Sequence, residues 1–411
     1  MKNIILFTFL SFIIAYNSSC DNPNKESKVK LVLTGSVHGQ LDPCGWKKNP
    51  LGGLSRKYVA IDNMRKNGTE PLILDAGDMF FSKTDITSNI KSEKYRCSTM
   101  LKGYEKIGCD ALNIGKYELL AGVDFLKEME NTYKSIPFIS ANIKYRNTGE
   151  LLFKPYVIEE RDGLKLGIIG LSNMVPDSMV NLLVDDYIEA GNKFIKNLKN
   201  KVDLIVLLVN TDRNSQSSLA RNFDEADFVF TSGSTHRTST SMPQKAEGPY
   251  VYANGKQGKY LTVIDLDLKN SKDPISDLST KEQKVKQLTN RLKRLQKKDP
   301  AKKLEDLYSG QEKILNLIKR YRSELEEAKS LIEKSKNKMR FTSLALNKKI
   351  NDEPEILALV DLALEKFKTL DTGSSGSAKH HNHDHSKHSH RHSKSLKKKD
   401  FKNASKLKSQ F

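Results

Sequence analysis

The chain is 411 residues long, 37% hydrophobic and 29% charged, with 69 Lys+Arg against 50 Asp+Glu and a formal net charge of +19. Such a length predicts two or three structural units and leaves room for a large core. Residues 373–411 alone hold ten Lys or Arg against two Asp, so much of the excess belongs to that tail, and the total gives no ground for a nucleic-acid-binding core.

Residues 1–19 read as an export signal. Lys2 supplies the positive start, residues 4–16 an apolar run, and Ser18-Ser19 the small residues before Cys20. The run is too short to predict a membrane-spanning helix. Cys20 followed by Asp-Asn-Pro-Asn resembles a bacterial lipoprotein cleavage site, with Asn17 where an aliphatic residue is usual three positions before the cysteine. The expectation is an exported protein acylated at Cys20 and anchored to a membrane, periplasm-facing or at the cell surface. Ordinary secretion is the other reading. With Cys20 acylated, Cys44, Cys97 and Cys109 remain, an odd number that defines no disulfide framework.

A tether, residues 20–28, leads into alternating strands and helices. Residues 29–33 form an apolar strand that leaves at Thr34-Gly35 for a loop of turn formers containing His38. Residues 53–66 carry Leu54, Tyr58 and Ile61 at helical spacing. A short strand at 72–74 runs into Asp75-Ala76-Gly77-Asp78. Ile90–Ile107 reads as helix, 111–114 as strand, 118–133 as helix and 138–140 as strand. Residues 156–160 and 165–170 flank Asp162-Gly163 as a hairpin. Tyr187–Leu198 reads as helix, a strand follows at 203–209, and strands at 227–231, Tyr250–Ala253 and 260–266 close the unit. The alternation predicts a mixed α/β sandwich over residues 29–268.

The character changes at Thr280. Val285, Leu288, Leu292 and Leu295 keep a 3-4-3 spacing, Pro300 interrupts it, and Ile314, Ile318, Tyr321, Leu325, Ala328 and Ile332 resume it. That pattern predicts a helical hairpin or a coiled coil at 280–335, and with it self-association or a protein partner there. Asp352-Glu353-Pro354 opens another helix. The whole of 269–372 is thus expected to be a helical region. A flexible linker follows, then His380, His381, His383, His385, His388, His390 and His392 in a Lys-rich tail at 373–411. Seven imidazoles on one segment predict binding of Zn, Ni or Cu; a solvated basic tail is the alternative.

Before that tract the chain has two histidines, His38 and His236, each following an apolar run that ends near a glycine. Ligands of open α/β sheets bind at the C-terminal ends of strands, so the two could converge on one site, or they could be hydrogen-bonded turn residues. Five strand-end segments can be set beside one another: Gly35-Ser36-Val37-His38, Gly77-Asp78, Asn113-Ile114-Gly115-Lys116-Tyr117-Glu118, Val209-Asn210 and Ser232-Gly233-Ser234-Thr235-His236. In order and spacing, together with Gly52-Gly53-Leu54-Ser55-Arg56 and Ser140-Ala141-Asn142-Ile143, they resemble the calcineurin-like metallophosphoesterases, in particular the N-terminal domain of the 5′-nucleotidase branch. The resemblance covers residues 29–268 and implies a four-layer α/β/β/α sandwich.

It also implies what a working site would need. The family's reaction uses two adjacent metal ions that bind the ester and activate a bridging hydroxide. Its first metal site matches Ser36, His38, Asp78 and His236, with Ser36 standing where the family has Asp. Three donors remain, enough for one divalent metal with open positions. The second site matches Asp78, Lys116, Asn210 and Ser234, where the family has Asp, Asn and two His. Lys116 is no ligand while protonated, and its ammonium could fill the second metal's volume. The family's general-acid His falls at Tyr117, a poor acid at neutral pH. Read without the resemblance, Lys116 is a solvated charge and Tyr117 a packed aromatic. Asp75, Asn142 and Glu118 are structural hydrogen-bonders, and Cys97 and Cys109 buried small hydrophobes. The expected function is an exported lipoprotein whose domain is a binding or scaffold module with weak or no catalysis, without specific nucleic-acid binding. The rivals are a mononuclear metal-dependent phosphoesterase and a metal-sequestering surface protein acting through its tail.

Overall fold

Period-two alternation along the strands sets the layers of this molecule. The computed structural model describes residues 26–240 and 248–371. These form fourteen strands: β1 (Ser27–Thr34), β2 (Leu72–Asp75), β3 (Ala111–Asn113), β4 (Phe138–Ile139), β5 (Ile143–Tyr145), β6 (Tyr156–Arg161) and β7 (Leu164–Ser172). They continue with β8 (Leu182–Val184), β9 (Leu204–Asn210), β10 (Phe228–Ser232), β11 (Tyr250–Ala253), β12 (Tyr260–Leu268), β13 (Ile275–Asp277) and β14 (Asn337–Ala345). The helices are α1 (Leu54–Lys66), α2 (Ile90–Ile107), α3 (Val123–Thr132), α4 (Tyr187–Leu198), α5 (Leu219–Asn222), α6 (Ser279–Gln296), α7 (Leu304–Leu307), α8 (Glu312–Lys334) and α9 (Pro354–Leu370).

One sheet has the order β13-β14-β12-β1-β2-β3-β4 and a second the order β11-β10-β9-β7-β6, with β5 and β8 paired as a ribbon. On β1, Leu31 and Leu33 point to a core shared with Leu204, Val206 and Leu208 of β9, so the two sheets pack face to face. Val32 points the other way, against Ile61 of α1, Leu101 of α2, Leu126 of α3 and Val360 of α9. On β9, Ile205, Leu207 and Val209 meet Ile195 and Leu198 of α4. Helix, sheet, sheet, helix: the anticipated four-layer α/β/β/α sandwich is the one observed.

Two expectations are corrected by the packing. Residues 118–133 are not one helix, because the segment turns at Gly122, whose φ of 87° an L side chain resists, and α3 starts after it at Val123. The strand at 260–266 does not close the sheet. Instead β14 pairs antiparallel with β12 from Tyr260↔Ala345 to Asp267↔Lys338, and β13 pairs parallel with β14. Asn337, Met339 and Phe341 are buried between more exposed neighbours, the alternation of a half-buried strand. The boundary at 268/269 therefore falls inside a single compact unit ending at Asp371, and 269–372 is helical only between and after its strands. Within it, α6 and α8 pack on one another around Ile318, Leu292 and Leu295, giving the hairpin form of the expected repeat. No helix of the described residues is long and apolar enough to cross a membrane. Cys20 and the histidine tail lie outside the described residues.

One buried carboxylate in this framework yields a clean test. Asp227, just before β10, accepts the Ile205 N–H at 2.8 Å, and burial raises its pKa from 3.8 to about 6. Between those values the folded chain holds a proton the unfolded chain has lost, so this group's contribution falls as pH rises from about 4 to about 6 and stays low above. Asp227→Asn keeps the acceptor and removes the buried charge. Urea unfolding should show the variant more stable at pH 7, on the order of 1–3 kcal/mol, with the gain gone by about pH 4.

Candidate functional site

The register places Thr34 beside Asp75 and Asp75 beside Leu112 in one sheet, and Ser172 beside Asn210 and Asn210 beside Ser232 in the other. The loops that follow these strands therefore leave both sheets at one edge. Three of their residues carry positive φ without being glycine: Ser36 at 49°, His38 at 51° and Asp78 at 59°. Such strain persists only where surroundings enforce it, and it concentrates at functional sites.

The enforcement is visible in the hydrogen bonds. Ser36 N–H donates to Gly77 O at 2.9 Å and His38 N–H to Asp78 O at 2.9 Å, zipping the first loop onto the second. The buried Glu118 carboxylate accepts the N–H groups of Asp78 (2.9 Å), Met79 (2.6 Å) and Gly115 (2.9 Å), tying the second loop to the third. Gly77 fits because its φ is 101° and a Cβ there would sit 3.0 Å from Asn113 O. From the other sheet, Ser36 Oγ accepts the Gly233 N–H at 3.1 Å.

Asp78 is buried against this lattice. Its Oδ1 accepts the Tyr117 N–H at 3.1 Å, and Asn210's side chain also bonds it. Burial pushes its carboxyl up, while those bonds and the Lys116 charge pull it down. Burial and the Asp78 charge likewise raise Glu118, opposed by its backbone donors. Lys116, half-buried, donates its N–H to Asn210 Oδ1 at 3.0 Å. Asn210 Nδ2 donates to Ser232 Oγ at 2.7 Å, and Gly115 runs so close that a Cβ there would lie 2.7 Å from Asn210 Cγ. The His38 ring lies 4.5 Å from that of Tyr117. Burial first, then the Lys256 charge, lowers the His38 pKa to about 4, so the imidazole is neutral at pH 7. Its buried Nδ1 has no hydrogen-bond partner.

The structure thus brings Ser36, His38, Asp78, Lys116, Tyr117 and Asn210 together. His236 stands apart. It is exposed, and lines a cavity of about 650 Å³ with Arg213, Gln216 and Thr238, which neither His38 nor Asp78 lines. Ser234 is spent on Gln216, whose Nε2 donates to its Oγ at 2.9 Å. Among the described residues, no three His, Cys, Asp or Glu side chains lie together as a set that could hold a metal. In the described cluster, the His38 Nδ1 without a hydrogen-bond partner is the atom free to take up a cation. Against it stand a lysine, a serine and a committed amide where a metal pair needs anionic or imidazole donors, so a two-metal centre does not fit these residues.

The structural reading of the neighbours holds. Asp75, Asn142 and Glu118 are buried hydrogen-bonders, and Cys97 and Cys109 are buried free thiols. Sequence reasoning passed over the turn Gly255-Lys256-Gln257-Gly258-Lys259, in which Gln257 N–H donates to Ser36 O at 2.7 Å and Lys256 acts on His38. Its signal was available as two glycines framing Lys256 and Gln257 directly before β12.

No protein-family model matches the chain. It is similar to protein UshA of Escherichia coli (strain K12), 31% identical over 178 residues that make up 42% of this chain and 30% of that protein. It is similar to a 5′-nucleotidase of Vibrio vulnificus, 25% identical over 284 residues, 59% of this chain and 49% of that one. The matches span 26% to 49% of the first such relatives' own length. In fold it is similar to the crystal structure of the calcineurin-like phosphoesterase YfkN from Bacillus subtilis, with a TM-score of 0.55 at 16% identity over 84% of this chain and 98% of that chain.

Proposed function

We propose that the chain, whose body resembles a metallophosphoesterase domain of the 5′-nucleotidase type, works as a binding or scaffold module with weak or no phosphoester hydrolysis. One observation carries the reading: the strand-end positions that would hold a second metal are filled by Lys116, Asn210 and Ser234, and the remaining carboxylate, Asp78, is already bonded by Tyr117 N–H and Asn210. The Lys116 charge lowers the pKa of the buried Asp78 carboxyl, the direction in which a metal's charge would also act. The proposal includes export, acylation of Cys20 and attachment to a membrane, for which the apolar leader ending at Ser18-Ser19-Cys20 is the support. The histidine tail is proposed to bind Zn, Ni or Cu on its own account.

Metal stoichiometry tests the reading. Calorimetric titration of Mn²⁺ and Zn²⁺ is run on the chain with the seven tail histidines replaced by serine, so that only the body can respond. Fewer than two equivalents should bind. Two equivalents that both vanish in His38→Ala/Asp78→Asn would establish a metal pair at the strand ends and overturn the proposal.

A further inference from the structure

The strongest charge pattern in the described residues lies away from the strand ends, on α6 and the turn after it. Residues 284–303 carry nine cations, namely seven lysines and two arginines, against the single acid Asp299. All nine are exposed. The helix buries Leu288 and half-buries Val285, Leu292 and Leu295, the side that packs with α8. From Gln283 to Lys298 no acidic residue occurs, and every exposed position is a cation or an amide. At about 100° per residue, Lys286, Lys293 and Lys297 form one stripe and Lys284, Arg291 and Lys298 a second roughly 140° round the helix from it, with Arg294 between the two.

Some of this charge is engaged locally. Lys284 pairs with Glu324 at 3.4 Å, Arg291 lies 5.4 Å from the Tyr321 ring centroid, and Lys298 lies 5.6 Å from that of Tyr308. These contacts hold the inner stripe against α8 and the end of α7, and leave the stripe of Lys286, Lys293 and Lys297 on the far side. A face of one sign repels its own copy, and the apolar seam that could have zipped two chains is already covered by α8. What such a face complements is an extended anionic surface.

We propose that the outer face of α6 docks on an anionic lipid headgroup surface. Lysine outnumbers arginine seven to two here; arginine is the residue of bidentate phosphate recognition, whereas lysine acts as a mobile point charge suited to a delocalised layer of headgroups. No large apolar side chain of α6 is strongly exposed, so contact is electrostatic and superficial, without insertion. The proposal stands without acylation at Cys20; acylation would add a second, independent hold.

The experiment uses the full chain carrying Cys20→Ala. Its sedimentation with vesicles of phosphatidylcholine containing about 30% phosphatidylglycerol is compared with that on phosphatidylcholine alone, which measures any background from residues 1–19. Binding should require the anionic lipid and weaken from low salt to about 0.15 M. Lys286→Glu/Lys293→Glu/Lys297→Glu should lower partition at least about tenfold, and the milder Lys→Gln triple should move it less in the same direction. All three residues are exposed, so circular dichroism of both variants should match that of the parent. Equal partition of parent and variants, or equal binding to neutral vesicles, overturns the proposal. So does a short DNA duplex that binds the parent more tightly than the vesicles do, which would assign the face to nucleic acid.

Discussion

Turnover of aryl phosphates and nucleotides by the full chain in Mn²⁺ should lie orders of magnitude below that of a metallophosphoesterase with a complete site, and should not fall further in His38→Ala/Asp78→Asn. A positioned general acid alone is worth about 10²–10⁴ in rate, and on the proposed reading Tyr117 takes that place, its phenol pushed up from the ordinary value by burial and by the Asp78 charge. At neutral pH that hydroxyl has little tendency to give up a proton. A metal pair clamps attacking and leaving oxygens together, and on the proposed reading Lys116, Asn210 and Ser234 stand in for three of its donors. The two losses act on different parts of the barrier, so the shortfall compounds. Robust turnover that disappears in the double variant would show that the mononuclear hydrolase is the correct reading.

Asp75→Ala is expected to destabilise the chain by about 3–5 kcal/mol, because it strands a buried cation. Lys57 and Asp75 are 2% and 0% exposed, and they communicate through two hydroxyls. Lys57 Nζ donates to Thr34 Oγ1 at 3.2 Å and to Tyr104 OH. Thr34 Oγ1 and Tyr104 OH in turn donate to Asp75 Oδ2 at 2.7 and 3.0 Å, and Asp75 Oδ1 accepts the Gly77 N–H at 2.9 Å. Removing the carboxylate takes the shared acceptor from the Thr34 and Tyr104 hydroxyls and the Gly77 N–H, and takes the counter-charge from Lys57. Urea unfolding reads the loss as a lower midpoint. Lys57→Met/Asp75→Leu should recover much of it, since deleting a buried charged set together costs far less than halving it. A double variant no more stable than Asp75→Ala would show that the two groups are not coupled.

The same network sets an alkaline signature. Burial lowers Lys57 from 10.5 to about 8, against the pull of Asp75. As pH rises from about 8 to about 10.5 the folded chain has already released this proton while the unfolded chain still holds it, so the lysine's contribution to stability rises across that window. Because Thr34 and Asp75 end β1 and β2, the network also anchors the two loops that carry Ser36, His38 and Asp78. Loosening it should therefore disturb the strand-end cluster before the outer layers.

The extent to which the sequence disclosed this arrangement differs element by element. Ile90–Ile107 and Tyr187–Leu198 were readable to the residue because strong helical periodicity ends at Gly108 in one case and begins after Asp186 in the other. Gly108 takes φ 80°, and the Asp186 side chain accepts two N–H groups. The strands β7, β9 and β10 were readable as apolar runs because they are buried on both faces. Residues 337–345 were not, since Lys338 and Arg340 interrupt the run and only pairing with β12 makes the alternation meaningful. Helix periodicity on either side then drew the segment into a helical region it does not join.

At the site, the sequence by itself determined the inventory: which residue types, among them Lys116, Tyr117, Asn210 and Ser234, stand at or just after the strand ends. That much is legible because strand ends are marked by short apolar runs and glycines, which are local signals. Whether residues far apart in the chain meet is not local. Only the tertiary structure decided that His38 and Asp78 share a cluster while His236, some two hundred positions on, is exposed beside another cavity. It decided too that Asp78 Oδ1 accepts the Tyr117 N–H, and that Glu118 ties three backbone donors together. The physical reason is that burial and hydrogen-bond satisfaction depend on how two sheets stack and on which loop crosses which, and the residue types at those positions leave that undetermined.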